Sequence, residues 1–198
     1  GLRPGELFAL TENDVNFEDN YIEVNKTLVY QKYLDDDCKT FHIGPPKTEQ
    51  SNRKVPMNSQ CKKYIQKQIM QKKVVESKNP NRKSQFLFTT KFNTPLNSVL
   101  YSAAIKSVVE IINQTRDASD RMEVFNGHTF RHTFATRCIE SGVEPKVVQS
   151  YLGHATLSMT MDLYTHVMPT KLNNDIERIV SKCDNIVEFR KKRGVSVV

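Results

Sequence analysis

The stretch Gly127-His128-Thr129-Phe130-Arg131-His132-Thr133-Phe134-Ala135-Thr136 decides how this chain is read. Three residues subtend about 300° on a helix, so His128 and Arg131 fall only about 60° apart on one face. Phe130, Phe134 and Cys138 recur every four residues, a spacing that predicts an apolar seam anchoring the helix in the core. A histidine and an arginine are then displayed together beside that seam. Gly142, which tolerates a left-handed cap, closes a helix expected from His128 to Ser141. His128 and His132 also have the i, i+4 spacing of zinc-binding helices. That motif needs a glutamate directly after the first histidine, and Thr129 stands there instead.

Downstream, a helix from Pro145 to Leu152 is stopped by Gly153, with His154 next. Thr156 or Ser158 caps another helix running to Tyr164. Leu172, Ile176, Ile179, Val180 and Cys183 then form an apolar helical stripe. Upstream, Pro4 opens a short helix with Glu6 in its first turn and Leu7 to Leu10 on its apolar side. Tyr21 to Val24 alternates as a strand, and Lys26 to Tyr30 extends or pairs with it. Phe41-His42-Ile43 and Lys54-Val55 flank a polar segment and read as a β-hairpin with a loose tip. A helix from Asn58 to Glu76 carries Cys61, Ile65, Ile69 and Met70 on one side, and Phe86-Leu87-Phe88 is a short buried strand or extended segment. Pro95 opens a further helix to about Ile112. The fold class is α+β and mainly helical, with a small antiparallel β-sheet near the N-terminus.

The 198 residues, 38% of them hydrophobic, suit one domain with a real core and exclude wholesale disorder and fibrous repeats. No apolar run approaches the length of a membrane span. Four scattered cysteines (38, 61, 138 and 183) without close pairing read as reduced thiols that pack. A soluble, intracellular protein is expected. The net charge of +7 is uneven: residues 1–40 carry 4 basic and 9 acidic groups, and residues 41–100 carry 12 and 2. Such a local excess suits a surface for a polyanion such as nucleic acid. A solvated helix bearing Lys62, Lys63, Lys67, Lys72 and Lys73 explains it equally well.

In Gly1-Leu2-Arg3-Pro4-Gly5-Glu6, the proline pushes Arg3 out of helical geometry and sets it at a helix entrance. There a guanidinium, free N–H groups and the positive dipole end favour a phosphate, with Glu6 placed to orient the arginine. An ordinary helix start with a stabilising acid has the same sequence. Taken alone, Tyr164 is a half-buried packing residue and His154 a surface side chain. As a set, two arginines, a lysine, two histidines and a tyrosine point to metal-free phosphoryl transfer, with arginines neutralising the phosphate and a tyrosine oxygen attacking it.

Four ordered blocks resemble the catalytic domain of tyrosine recombinases, the phage integrase family, most closely the integrases of phages and conjugative transposons. Residues 1–6 resemble the first arginine box, and Lys47-Thr48-Glu49-Gln50-Ser51-Asn52-Arg53-Lys54-Val55-Pro56 the lysine hairpin. Residues 127–136 resemble the His-x-x-Arg box, and Leu152-Gly153-His154 with Thr160-Met161-Asp162-Leu163-Tyr164 the final box. The resemblance implies a site-specific recombinase that cleaves and rejoins DNA through a 3′-phosphotyrosyl intermediate, integrating or excising a mobile element. A type IB-like topoisomerase and a catalytically silent DNA-binding module of the same fold are the alternatives.

The implied roles are Tyr164 as nucleophile, Arg3 and Arg131 as phosphate clamp, and Lys47 as general acid. His128 would take the tyrosine's proton, His154 would hydrogen-bond a phosphate oxygen, and Glu6 would support the first box. Lys47, Arg53 and Lys54 would meet DNA. Neither metal nor cofactor is implied. Residues 1–170 would form the catalytic domain, the family's preceding helix and core-binding domain being missing from this sequence. Residues 171–198 would form a tail that docks on a neighbouring protomer or packs on its own domain. Implied partners are double-stranded recombination sites, further copies in a dimer or tetramer, and accessory directionality factors, with no membrane. The setting would be the bacterial cytoplasm, at the nucleoid.

Overall fold

The computed structural model describes residues 1–46 and 48–163. Helix α1 (Pro4–Ala9) leads through a 3₁₀ turn at Glu12–Asp14 into β1 (Val15–Asn16) and β2 (Tyr21–Val24). Strands β3 (Thr27–Gln31) and β4 (Thr40–Gly44) follow, then a second 3₁₀ turn (Glu49–Ser51) and β5 (Arg53–Pro56). The remainder is helical: α2 (Ser59–Lys78), α3 (Ser98–Asn113), α4 (Gly127–Glu140) and α5 (Pro145–Leu152). Residues 158–163 begin a further helical segment. The α+β class with small antiparallel sheets near the N-terminus holds.

The strand pairing differs from the expected hairpin. β4 pairs with β3 in a separate two-stranded ribbon, while β5 crosses over to pair with β2 in the sheet β1-β2-β5. The reason is burial. Ile22 and Val24 face the core and need an apolar neighbour, which Val55 supplies directly opposite Ile22. Glu23 and Lys54 stand opposite each other on the outer face. The ribbon, by contrast, leaves Val29, Tyr30 and Ile43 exposed and packs Tyr30 on Phe41 with ring centroids 4.7 Å apart. The main core gathers Leu10, Ile22, Val24, Val55, Met57, Ile65 and Leu87. Phe86 to Phe88 joins it as a buried segment, with Leu87 N–H donating to Leu10 O and Phe86 bridging Thr11.

Helix α4 buries another face than its apolar spacing indicates, whereas in α2 Ile65, Cys61 and Ile69 turn to the core as expected and only Met70 departs. In α2, Ile65 is buried but Met70 is 68% exposed, and Lys72 lies buried between Glu12 and Glu76 at 3.4 and 3.7 Å. In α4 the buried line is Arg131, Ala135 and Ile139, one step round from Phe130, Phe134 and Cys138. Phe130 is 52% exposed and packs edge-on against Phe125, while Phe134 and Cys138 are partly buried against Ala135, Val148 and Leu152. A buried arginine is admissible there because carbonyl oxygens meet its guanidinium. Helix α3 starts at Ser98 rather than Pro95. The Asn97 side chain caps it by accepting from Leu100 N–H, and Pro95 instead sits in an extended bridge to Thr89. Cys38 is exposed, not packed, whereas Cys61 and Cys138 are partly buried. Cys183 and the stripe from Leu172 lie outside the described residues.

Candidate active site

The first arginine box is built on the capped start of α1. Arg3 is extended at the N-cap (φ −71°, ψ 151°), as Pro4 requires, and Glu6 folds back onto it. The Glu6 carboxylate is 2% exposed and accepts from Arg3 N at 2.8 Å and from Arg3 Nη1 at 2.8 Å. Its other edge accepts from Arg53 Nη2 at 2.8 Å and Nη1 at 3.2 Å. Burial alone would raise the Glu6 pKa. The hydrogen bonds from Arg53 and Arg3 outweigh that and hold it below the usual carboxylate range.

Arg53, the first residue of β5 just after the turn at Ser51, reaches this carboxylate with its side chain. Its Nη1 also donates to Ser51 O at 2.9 Å, and its Nε to Tyr151 O at 2.7 Å. Expected among the DNA contacts, Arg53 has a side chain only 4% exposed and lies inside the site. Lys54, on the outer face of β5, sits over the Tyr21 ring at 4.3 Å.

The end of α5 brings the boxes together. Three successive carbonyls at its C-terminus each accept from a different arginine. Tyr151 O accepts from Arg53, Leu152 O from Arg131 Nη2 at 2.5 Å, and Gly153 O from Arg3 Nη2 at 3.3 Å. A helix C-terminus carries unpaired carbonyls and a partial negative charge, so it can gather three cations that would otherwise repel one another. Burial, followed by the neighbouring Arg3, lowers the Arg131 pKa to about 10, which leaves it charged at neutral pH. Gly153 itself is left-handed (φ 64°), and a Cβ there would come within 2.9 Å of Arg53 Nη1.

The turn then delivers His154, whose Nδ1 lies 2.9 Å from Thr160 Oγ1 on the following helical segment. Burial first, and then Arg131, Arg3 and Arg53, push the His154 pKa down to about 4. It is therefore neutral at physiological pH. In the tautomer whose Nδ1 accepts from the Thr160 hydroxyl, the ring proton is on Nε2 and that nitrogen is a donor.

Two cavities flank the arginines. One, of about 150 Å³, is lined by Arg131, His132, His154, Met159 and Leu163, among others. The other, of about 480 Å³, is lined by Arg3, Thr27, Tyr101, Asn126 and His128, among others, between α1, β3, α3 and α4. His128, exposed at the second position of α4, thus shares a cavity with Arg3 and not with Arg131. Lys47 and Tyr164 lie outside the described residues. Reasoning from sequence missed the interior role of Arg53, the Ser51 and Tyr151 oxygens that fix it, and the Thr160 hydroxyl. Only Gly153, a helix-stopping glycine next to a site residue, marked where they would meet. Among the described residues, no three His, Cys, Asp or Glu side chains gather as a metal site requires, and no helix is long and apolar enough to cross a membrane.

Comparison with known proteins gives the family of the chain. The chain is 30% identical over 166 residues to the transposase from transposon Tn916 of Enterococcus faecalis, spanning 84% of this chain and 39% of that protein. It is 31% identical over 188 residues to a XerC-like tyrosine recombinase of Caldanaerobacter subterraneus subsp. tengcongensis, spanning 90% of this chain and 46% of that one. The chain thus spans less than half the length of these curated relatives. Among solved structures, the Tn1549 transposon integrase in complex with transposon right end DNA superimposes with a TM-score of 0.74 at 28% identity. That match covers 90% of this chain and 55% of the integrase chain. The model of the phage integrase family matches residues 1–171, and the chain belongs to that family.

Proposed function

We propose that residues 1–170 are the catalytic domain of a site-specific DNA recombinase that integrates or excises a mobile element. One observation carries the reading. Arg3 and Arg131, more than a hundred residues apart in the chain, donate to adjacent carbonyls on the turn that also presents His154. Two guanidiniums and a neutral imidazole would then flank a phosphate seated at that turn. Such preorganised donors are worth several kcal/mol to a transition state that gathers negative charge there.

The step balances without ATP or metal. The Tyr164 oxygen attacks the scissile phosphorus and its proton passes to His128. The bond to the 5′-oxygen breaks, and Lys47 protonates that oxygen as it leaves. The phosphate remains on Tyr164 through a 3′-phosphotyrosyl bond, which the 5′-hydroxyl of a second strand can attack in reverse. Lys54 and the Lys47 hairpin would meet the DNA backbone. Residues 171–198 would dock on a neighbouring protomer, coupling sites in a dimer or tetramer, with accessory factors setting direction. The work would be done on the nucleoid in the bacterial cytoplasm.

The test is a covalent adduct. Full-length protein is incubated in EDTA with nicked duplexes carrying candidate element ends and run on a denaturing gel. A chelator-resistant adduct that maps to Tyr164 and vanishes in Tyr164→Phe is expected. An adduct that survives Tyr164→Phe, or one that EDTA abolishes, would sink the reading.

A further inference from the structure

Arg53 is a buried charge that the reaction above does not use. Every nitrogen of its guanidinium donates to the protein: Nε to Tyr151 O, Nη1 to Glu6 and Ser51 O, Nη2 to Glu6. Contact with a phosphate would require it to abandon those acceptors and leave a site in which 4% of its side chain is exposed. A buried ion pair is rarely the most stabilising choice for an interior position, so its geometry calls for an explanation. That geometry is a bracket. On one side Arg53 forks onto both oxygens of Glu6, whose other contacts hold Arg3 N and Nη1. On the other it holds the Tyr151 carbonyl, next to the carbonyls that take Arg131 and Arg3. Its chain also packs against the Gly153 backbone.

We infer that Arg53 is a positioning residue: it fixes the Arg3 guanidinium through Glu6 and the 151–154 turn through Tyr151 O, and it does not touch DNA. Only a planar fork can join a carboxylate to a carbonyl in this way. A lysine ammonium keeps the charge and loses the bridge. The inference rests on the recombinase reading for its kinetic arm alone.

The experiment compares full-length wild type, Arg53→Lys, Arg3→Lys and the double variant. Three quantities are read: DNA affinity, the single-turnover rate of adduct formation at saturating nicked DNA, and the exchange protection of the Arg3 Nη–H signal by NMR in the DNA-free protein, the group that donates to Glu6. Arg53→Lys should leave affinity within roughly 3-fold of wild type while the rate falls about 10²-fold, the scale of a catalytic group displaced by about 1 Å. The double variant should be no more than about 3-fold slower than Arg3→Lys alone, because both changes remove one unit. The Arg3 signal should lose protection in Arg53→Lys. Affinity falling with the saturated rate intact would make Arg53 a DNA contact and overturn the inference, as would additive losses or an Arg3 signal that does not change.

If Arg53→Lys does not fold, Glu6→Gln breaks the bracket from its other end and should give the same pattern in all three readouts. Unaltered rate and Arg3 protection there would equally overturn the inference. Should wild type form no adduct at all, the recombinase reading fails, and the NMR arm still decides whether Arg53 positions Arg3.

Discussion

His154 is 9% exposed and surrounded by cationic side chains, so its folded-state pKa of about 4 lies well below the value near 6.5 expected for an unfolded chain. The sign of the consequence is fixed by proton counting. Between pH 6.5 and pH 4 the unfolded chain binds the extra proton and the folded one does not, so stability rises with pH across that window and is flat above it. We expect urea unfolding of wild type to lose stability from pH 7 to pH 5, and His154→Gln to lose measurably less. Equal losses in the two proteins would remove His154 as the cause. In the candidate site the same depression keeps the imidazole neutral at neutral pH. The Thr160 hydroxyl is the partner of its Nδ1.

Helix α5 is only eight residues long, yet its C-terminal turn organises the site. Its unpaired carbonyls and dipole give the arginines a common destination, and each cation so placed contributes roughly 0.3–1 kcal/mol, more where partly buried. The turn works only with glycine at 153. An alanine there would be left-handed and would press on Arg53 Nη1. We expect Gly153→Ala to cost about 1–2 kcal/mol of stability for its backbone strain alone. Adduct formation should slow with it, as Arg53 is pushed from Tyr151 O. A variant as stable and as fast as wild type would show that the turn is not the anchor. Much at this level was legible in the sequence: the helix stops at Gly142 and Gly153, the α1 start at Pro4, and the strand Tyr21 to Val24. The partner of β5 was not, because choosing β2 over β4 depended on which apolar faces are buried together, and Phe41 and Ile43 read as locally plausible partners.

Across the molecule, the basic excess of residues 41–100 is partly structural. Lys62 Nζ donates to Phe17 O and Asn20 Oδ1, and Lys72 is buried between two glutamates. These charges serve the fold, so the excess left for a polyanion is smaller than the composition indicates. We expect Lys72→Gln to lower stability by about 1 kcal/mol, since Glu12 and Glu76 remain partly solvated. The salt dependence of its binding to DNA should not change. A flatter slope of log affinity against log salt, by about 0.9 per lost phosphate contact, would place Lys72 on the DNA instead.

The family and the order of the boxes were legible in the sequence alone, and so were the candidates for the reacting side chains. Those features are local: each box is a short run whose residue types and spacing carry its chemistry wherever the rest of the chain lies. How the boxes contact one another depends on the folded chain. Glu6 and Arg53, or Arg3 and Gly153, are far apart in the chain, and no periodicity predicts a hydrogen bond across such distances. The fold also turned α4 so that Arg131 rather than Phe130 faces inward, because buried carbonyls at the end of α5 make an interior guanidinium affordable. Burial and the competition for hydrogen-bond acceptors are properties of the packed chain, and they separated the arginine that braces the site from those that would hold a phosphate.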